Sequence, residues 1–329
     1  MHKVLRIVIP GVILLTLFFL FGRPFVDRLI RENIRHSVYV VMKSTGSDME
    51  YWQIVRAGMQ AAATEFDVKP IIVGPEFEKD VNGQIAILGR VLKKRPDGIL
   101  LAAADYNRLV PLAKQAKAEG VTLVTLDSAL NSNIPVSFVG TDNVVAGTKA
   151  GEEIARLVPP GEEIAIISHV RGNETAIDRE KGVREALSRI GRPAPIGTYF
   201  VENDLNKAYR IVTDLIATHP KLGGIVGLNE NSTVGAGRAI RDSRAAGRVK
   251  LVGFDNSKEE IEFLESGVVQ ALVVQKPFNM GYLGIRTLVR AMRGEKVPPI
   301  IHTASVLVRK NDMFTAENQK LLFPILASH

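Results

Sequence analysis

From Ser37 onward the chain alternates short apolar runs with amphipathic stretches, and this alternation admits few folds. SVYVVMK, KPIIVGP, DGILLAA, VTLVTLD and PVSFVGTD read as strands, while YWQIVRAGMQAAATEF, NGQIAILGRVLKKR and RLVPLAKQAKAEG between them have helical spacing. Strands that are apolar along their whole length must be covered on both faces. Strand–helix–strand crossovers of this kind are right-handed, so an α/β fold with parallel sheets is expected. The pattern then restarts. NVVAGTKAGEEIARLV, TAIDREKGVREALSRI, KAYRIVTDLIATHP, STVGAGRAIRDSRAAG and KEEIEFLESG read as helices, EEIAIISHV, PIGTYFVE, LGGIVGLN, KLVGFD and VVQALVVQK as strands, and MGYLGIRTLVRAMRG as the last long helix. Two α/β units in tandem, each a domain in length, exclude a short-period solenoid.

Four of these strands stop on a polar side chain: Asp127, Asn229, Asp255 and Gln275. In open parallel sheets, ligands bind beyond the carboxyl ends of the strands. Each residue has two readings. Asp127 and Asp255 hold ligand hydroxyls or cap helices, and Asn229 does either while both donating and accepting. Gln275 contacts ligand or makes a hydrogen bond at a sheet end or hinge. Tyr51 and Trp52 (the only tryptophan) open a helix. They stack on the apolar face of a sugar ring or pack the helix onto its sheet. Arg179 sits in a helical stretch, IDREKG, and reads there as a surface charge.

Composition removes several functions. The absence of cysteine excludes disulfides, thiolate metal sites, cysteine nucleophiles and an N-terminal lipidated cysteine. The six histidines have no metal-binding spacing. Walker, G-x-S-x-G, H-E-x-x-H and kinase motifs are absent, and Gly235-Ala236-Gly237 is a poor dinucleotide signal. A binding protein without metal or cofactor is expected, not an enzyme. The net charge of +7 is scattered and not interleaved with aromatics, so no nucleic-acid partner is expected.

Lys3 and Arg6 precede an apolar run from Ile7 to Phe21, broken by Pro10, Gly11 and Thr16. That run suits a signal-peptide core better than a full span of roughly 20 residues. Gly22-Arg23-Pro24-Phe25 offers no small-x-small cleavage site. Residues 1–22 are therefore expected to be a signal peptide or, preferably, an uncleaved anchor, with 23–36 as linker. Arg23, Arg28, Arg31 and Arg35 after the run argue for a cytoplasmic body by the positive-inside rule. An extracytoplasmic location, exported or membrane-anchored, is nonetheless the expectation.

The motifs PDGILLAAAD (96–105), VTLVTLDS (121–128), VGTDNVVAG (139–147), DREKG (178–182), GLNENSTVGAGRAI (227–240), LVGFDNS (251–257) and ALVVQKPFNMGYLG (271–284) occur in one order. Together they resemble the type I periplasmic sugar-binding proteins, most closely the ribose-binding branch. The resemblance runs from Ser37 to about Lys310. It implies two Rossmann-like lobes, residues 37–141 with 276–304 and 142–275 with 305–320, followed by a tail at 321–329. Three hinge crossovers near Thr141, Gln275 and Ala304 join the lobes, which close on a sugar between them. The implied ligand-binding residues are Tyr51, Trp52, Asp127, Arg179, Asn229, Asp255 and Gln275.

The chain departs from that pattern at three places. Ser128 stands where an arginine usually follows the aspartate, Asn203 stands where the second lobe presents an aromatic, and Asp48 or Met49 replaces an asparagine. Ser128 and Asn203 join the candidate site, and this wall is expected to be less aromatic and to lack a cation. The ligand is then a monosaccharide or related polyol, or a larger sugar, not ribose in particular. The same lobes occur in repressors resembling the lactose repressor, but here an apolar segment takes the place of their DNA-binding module. The resemblance implies delivery of the sugar to an ABC permease. The alternative partner is a membrane histidine kinase or chemoreceptor, and the chain is expected to act as a monomer.

Overall fold

In the computed structural model the described residues are 37–46 and 49–323. The expected signal or anchor (1–22), the linker (23–36), Asp48 and residues 324–329 lie outside them. The first half runs β1 (Val38–Val41), α1 (Glu50–Glu65), β2 (Ile71–Val73), α2 (Val81–Leu92), β3 (Gly98–Leu101), α3 (Val110–Ala118), β4 (Thr122–Leu126) and β5 (Ser137–Thr141). There follow α4 (Asn143–Leu157), β6 (Glu163–Ser168), α5 (Glu174–Arg189), β7 (Thr198–Phe200), α6 (Leu205–Thr218), β8 (Leu222–Gly227), α7 (Glu230–Asp242), β9 (Lys250–Phe254), α8 (Lys258–Ser266) and β10 (Ala271–Val274). The chain ends with α9 (Pro277–Met292), β11 (Ile300–Thr303), β12 (Val306–Arg309) and α10 (Ala316–Leu322).

These strands form two six-stranded sheets, ordered β11-β5-β4-β3-β1-β2 and β12-β10-β9-β8-β6-β7. Strand side chains alternate between faces, and each sheet accordingly feeds two apolar clusters. Val38 and Val40 of β1 pack with Trp52, Val55 and Met59 of α1 and with Ile285, Leu288 and Val289 of α9. Tyr39 and Val41 point the other way, onto Leu88, Val91 and Leu92 of α2 and Ala113 and Ala116 of α3. In the second sheet, Ile164 and Ile166 meet Ala150 and Ile154 of α4, while Ala165 and Ile167 join Val212 of α6 and Ile240 of α7.

One pairing departs from the expected parallel pattern: β10 and β12 are antiparallel. The reason is the two-residue passage Ala304–Ser305. A strand leaving the first sheet at its carboxyl end enters the second sheet at that sheet's carboxyl end, and so runs against it. The chain passes between the sheets twice more, from β5 into α4 and from β10 into α9. The carboxyl ends of both sheets therefore face each other across a cleft, where the polar strand ends converge.

Candidate functional site

A cavity with about 280 Å³ of atom-free space lies in this cleft, lined by Lys43, Met49, Tyr51, Trp52, Glu78, Asp127, His169, Thr175, Arg179, Asn229, Asp255 and Gln275. Seven of the nine residues expected from the sequence are in that set.

Asp127 and Asp255 each occupy a left-handed backbone conformation, with φ of 62° and 78°. Such conformations are uncommon outside glycine and gather at functional sites. Neither residue is the N-cap of the helix that follows it in the chain. The residue before α8 is Ser257, which makes a capping box with Glu260. Asp127 instead accepts from Lys43 Nζ and from the Tyr51 hydroxyl, both at 2.6 Å. Burial opposes its ionisation, but the Lys43 ammonium and these hydrogen bonds hold its carboxyl below the usual range. The Tyr51 phenol is pushed well up by burial and by Asp127, so it remains a donor.

Asp255 accepts from Gln275 Nε2 at 2.7 Å and from the Glu230 N–H at 3.0 Å. Burial raises its pKa, against the Arg179 charge. Gln275 Oε1 accepts from the Thr141 hydroxyl at 2.9 Å. Gln275 thus makes the expected hydrogen bond between inter-sheet passages, and it also lines the cavity.

Arg179 is not a surface charge: it is 3% exposed. Gly147 of α4 lets α5 approach closely, because a Cβ there would collide with the Arg179 carbonyl. Its guanidinium lies 4.5 Å over the Phe254 ring and donates to the Leu228 carbonyl (2.7 Å) and Asn143 Oδ1 (2.9 Å). Asn229 takes the capping role, since its Oδ1 accepts from the Ser232 N–H at the start of α7, and it also lines the cavity. Trp52 and Tyr51 meet edge to face at 5.1 Å, and Trp52 Nε1 donates to Glu78 Oε1 at 2.7 Å. Both rings line the cavity and both belong to the core under α1.

Two expected residues lie outside the cavity lining. Ser128 is fully buried beside it, with its hydroxyl 3.3 Å from Asp127 Oδ2 and 3.4 Å from Asn173 Oδ1. Asn203 lines a neighbouring recess with Phe77, Glu202 and Asn231. It accepts from Asn229 Nδ2 at 2.7 Å and donates to Met49 Sδ at 3.2 Å. Lys43, just beyond β1, places a cation in the cavity against Asp127. The sequence reading missed Lys43 and His169, yet both follow apolar strands (VYVVMK and IAIISH), the same signal that marked the other four ends.

The two sides of the cleft are bridged by a reciprocal exchange of helix caps. Met49, before α1, makes no side-chain cap. Instead Glu230, at the start of α7, accepts from the Glu50 and Tyr51 N–H groups, each at 3.2 Å. Glu50 in turn accepts from the Lys258 N–H at the start of α8, at 3.3 Å. The first N–H groups of a helix have no partner within it, and side-chain oxygens satisfy them here, so each side of the cleft completes a helix of the other. Asn173 Nδ2 adds a bridge to the Ala104 carbonyl at 3.2 Å, and the Gly172 carbonyl accepts from the Tyr106 N–H at 2.9 Å.

The site joins aromatic faces with paired donors and acceptors, and among the described residues no group of acidic and histidine side chains is arranged to hold a metal. Residues 38–296 match the family model of the periplasmic binding protein domain. A D-ribose/D-allose-binding protein of Pseudomonas aeruginosa is 27% identical over 78% of this chain and 82% of its own length. A carbohydrate transporter solute-binding protein of Agrobacterium radiobacter, solved with D-arabinose, superposes with a TM-score of 0.84 at 30% identity, over 88% of this chain and 99% of that one. An ABC transporter solute-binding protein of Agrobacterium vitis, solved with D-fucose, gives 0.83 at 30% identity, over 87% and 99%. All three carry names of binding proteins, not of enzymes.

Proposed function

From the premise that this chain belongs to the periplasmic binding protein domain family, we propose that it is an extracytoplasmic sugar-binding protein that passes its ligand to an ABC permease. The observation that carries the reading is the cavity between opposed strand ends. Its walls offer two aromatic rings (Tyr51 and Trp52), three carboxylates (Glu78, Asp127 and Asp255), two cations (Lys43 and Arg179) and two amides (Asn229 and Gln275). A ring with hydroxyls around its edge needs donors and acceptors in the plane and an apolar face above it.

In this reading Tyr51 and Trp52 take the ring face. Asp127 and Asp255 accept from hydroxyls, and Lys43, Arg179, Asn229 and Gln275 supply donors. Ser128 and Asn203 act from behind, on Asp127 and Asn229. Residues 37–141 with 276–304 and residues 142–275 with 305–320 form the two lobes, which open about the three passages near Thr141, Gln275 and Ala304. The reciprocal caps of Glu230 and Glu50 then form on closure.

A thermal-shift screen of the purified chain against D-ribose, D-allose, D-arabinose, D-fucose and simple polyols tests this. A ligand present at 100 times its Kd stabilises the folded form by about 2.7 kcal/mol, a readily visible shift. No shift with any sugar or polyol would reject the sugar-binding reading.

A further inference from the structure

His169 follows β6, is 2% exposed and lines the cavity. Its Nε2 lies 2.9 Å from the Thr175 hydroxyl oxygen. That hydroxyl also lies 2.7 Å from Asn173 Oδ1. The Asn173 oxygen carries no hydrogen, and its identity is set by the Thr175 N–H that it accepts at 3.0 Å. The single Thr175 hydroxyl proton must therefore lie between Thr175 and Asn173, because two oxygens 2.7 Å apart repel without one. Thr175 can then only accept from His169, so Nε2 carries the imidazole proton and Nδ1 is a bare lone pair.

Nδ1 is buried and has no partner. Several other buried side chains also have an unpartnered polar atom, among them Ser168, Glu174, Ser232 and Glu260, but among the described residues only His169 of that set lines the cavity. A buried acceptor left unpaired costs about 1–3 kcal/mol. Burial, with the charges of Arg179 and Lys43, drives the imidazole well below its ordinary pKa, so the lone pair is not lost to a second proton.

We infer that His169 is a ligand-binding residue whose Nδ1 accepts a hydrogen bond from one particular hydroxyl of the bound sugar, an inference that rests on the sugar-binding reading above. Most of the cavity's charged and amide groups accept or donate in two directions. A neutral imidazole with one proton already committed accepts in one direction only. It therefore discriminates: a sugar with hydrogen or O-methyl at that position leaves Nδ1 unpaired, and an epimer aims the hydroxyl elsewhere.

The test uses whichever of D-ribose, D-allose, D-arabinose and D-fucose binds, with its monodeoxy derivatives, against the full chain and His169→Phe. For the parent sugar, His169→Phe is expected to weaken binding about 10- to 100-fold. One monodeoxy derivative should bind both proteins equally, which a purely structural role would not produce. Imidazole ¹⁵N spectra of the unmutated chain give a second readout that survives a folding defect in the variant. The Nε2–H tautomer should be present throughout, and the Nδ1 resonance should move when the sugar binds. A proportionate loss across all deoxy derivatives, or an unmoved Nδ1 resonance in the sugar-saturated protein, overturns the inference while leaving the sugar-binding reading intact. Failure of every sugar to bind overturns both.

Discussion

Glu230→Ala removes the side chain that completes α1 from across the cleft. The lost contacts are two hydrogen bonds of 3.2 Å to the Glu50 and Tyr51 N–H groups. At that length each is worth about 0.5–1 kcal/mol. In an open cleft the same groups meet water, so the loss falls on the closed state alone. A total of about 1–2 kcal/mol corresponds to roughly 5- to 30-fold weaker sugar binding. Isothermal titration gives the ratio, and stopped-flow kinetics should place it in the dissociation rate, because closure follows encounter. Glu50→Ala should weaken binding less, since its bonds to Lys258 are 3.3 Å long and exposed. The reasoning fails if Glu230→Ala binds as the unmutated chain does while Asp255→Ala does not bind. It also fails if Glu230→Ala destabilises the ligand-free protein as much as it weakens binding.

Three further outcomes follow from the site and its surroundings. Burial and the neighbouring Asp255 carboxylate, with Glu50 and Glu260 also nearby, push Glu230 up to about 8 in the closed cleft. Its ordinary value is about 4.3, so its contribution to closure is complete below that value and is lost as pH rises through about 8. Affinity should therefore weaken progressively as pH rises from about 4.3 to about 8 and level off above that, and titrations of Glu230→Gln should show a flatter profile. Lys43→Met leaves Asp127 in the closed cleft without its ammonium partner, and removing one member of such a pair costs about 3 kcal/mol, or roughly 100-fold in Kd. A change of under about threefold by titration would refute the role of that pair. Away from the site, burial opposes the ionisation of Glu153, but Arg309 and Arg156 hold its carboxyl at about 2. That stabilisation is present above the ordinary glutamate pKa and fades as pH falls toward 2. Glu153→Gln should lower Tm by about 2–4 °C at neutral pH, assuming a loss near 1 kcal/mol, and the gap should close on acidification.

The α/β architecture was legible in the sequence because it rests on local periodicity. An apolar run buried on both faces reads the same whatever its neighbours are, and polar residues at strand ends mark the edge where the core stops. Asp127, Asn229, Asp255 and Gln275 were visible for that reason. Lys43 and His169 carried the same mark, but one reads alone as an ordinary surface cation and the other as an isolated histidine. Tertiary structure decided what local pattern could not encode. The direction of β12 follows from which sheet it enters after Ala304–Ser305. The burial of Arg179 depends on Gly147, in the adjoining helix. The proton on His169 depends on Thr175 and Asn173, and the caps of α1 and α8 come from the opposite side of the cleft. Each depends on groups distant in the chain that meet only when both sheets are assembled, and no periodicity records such a meeting.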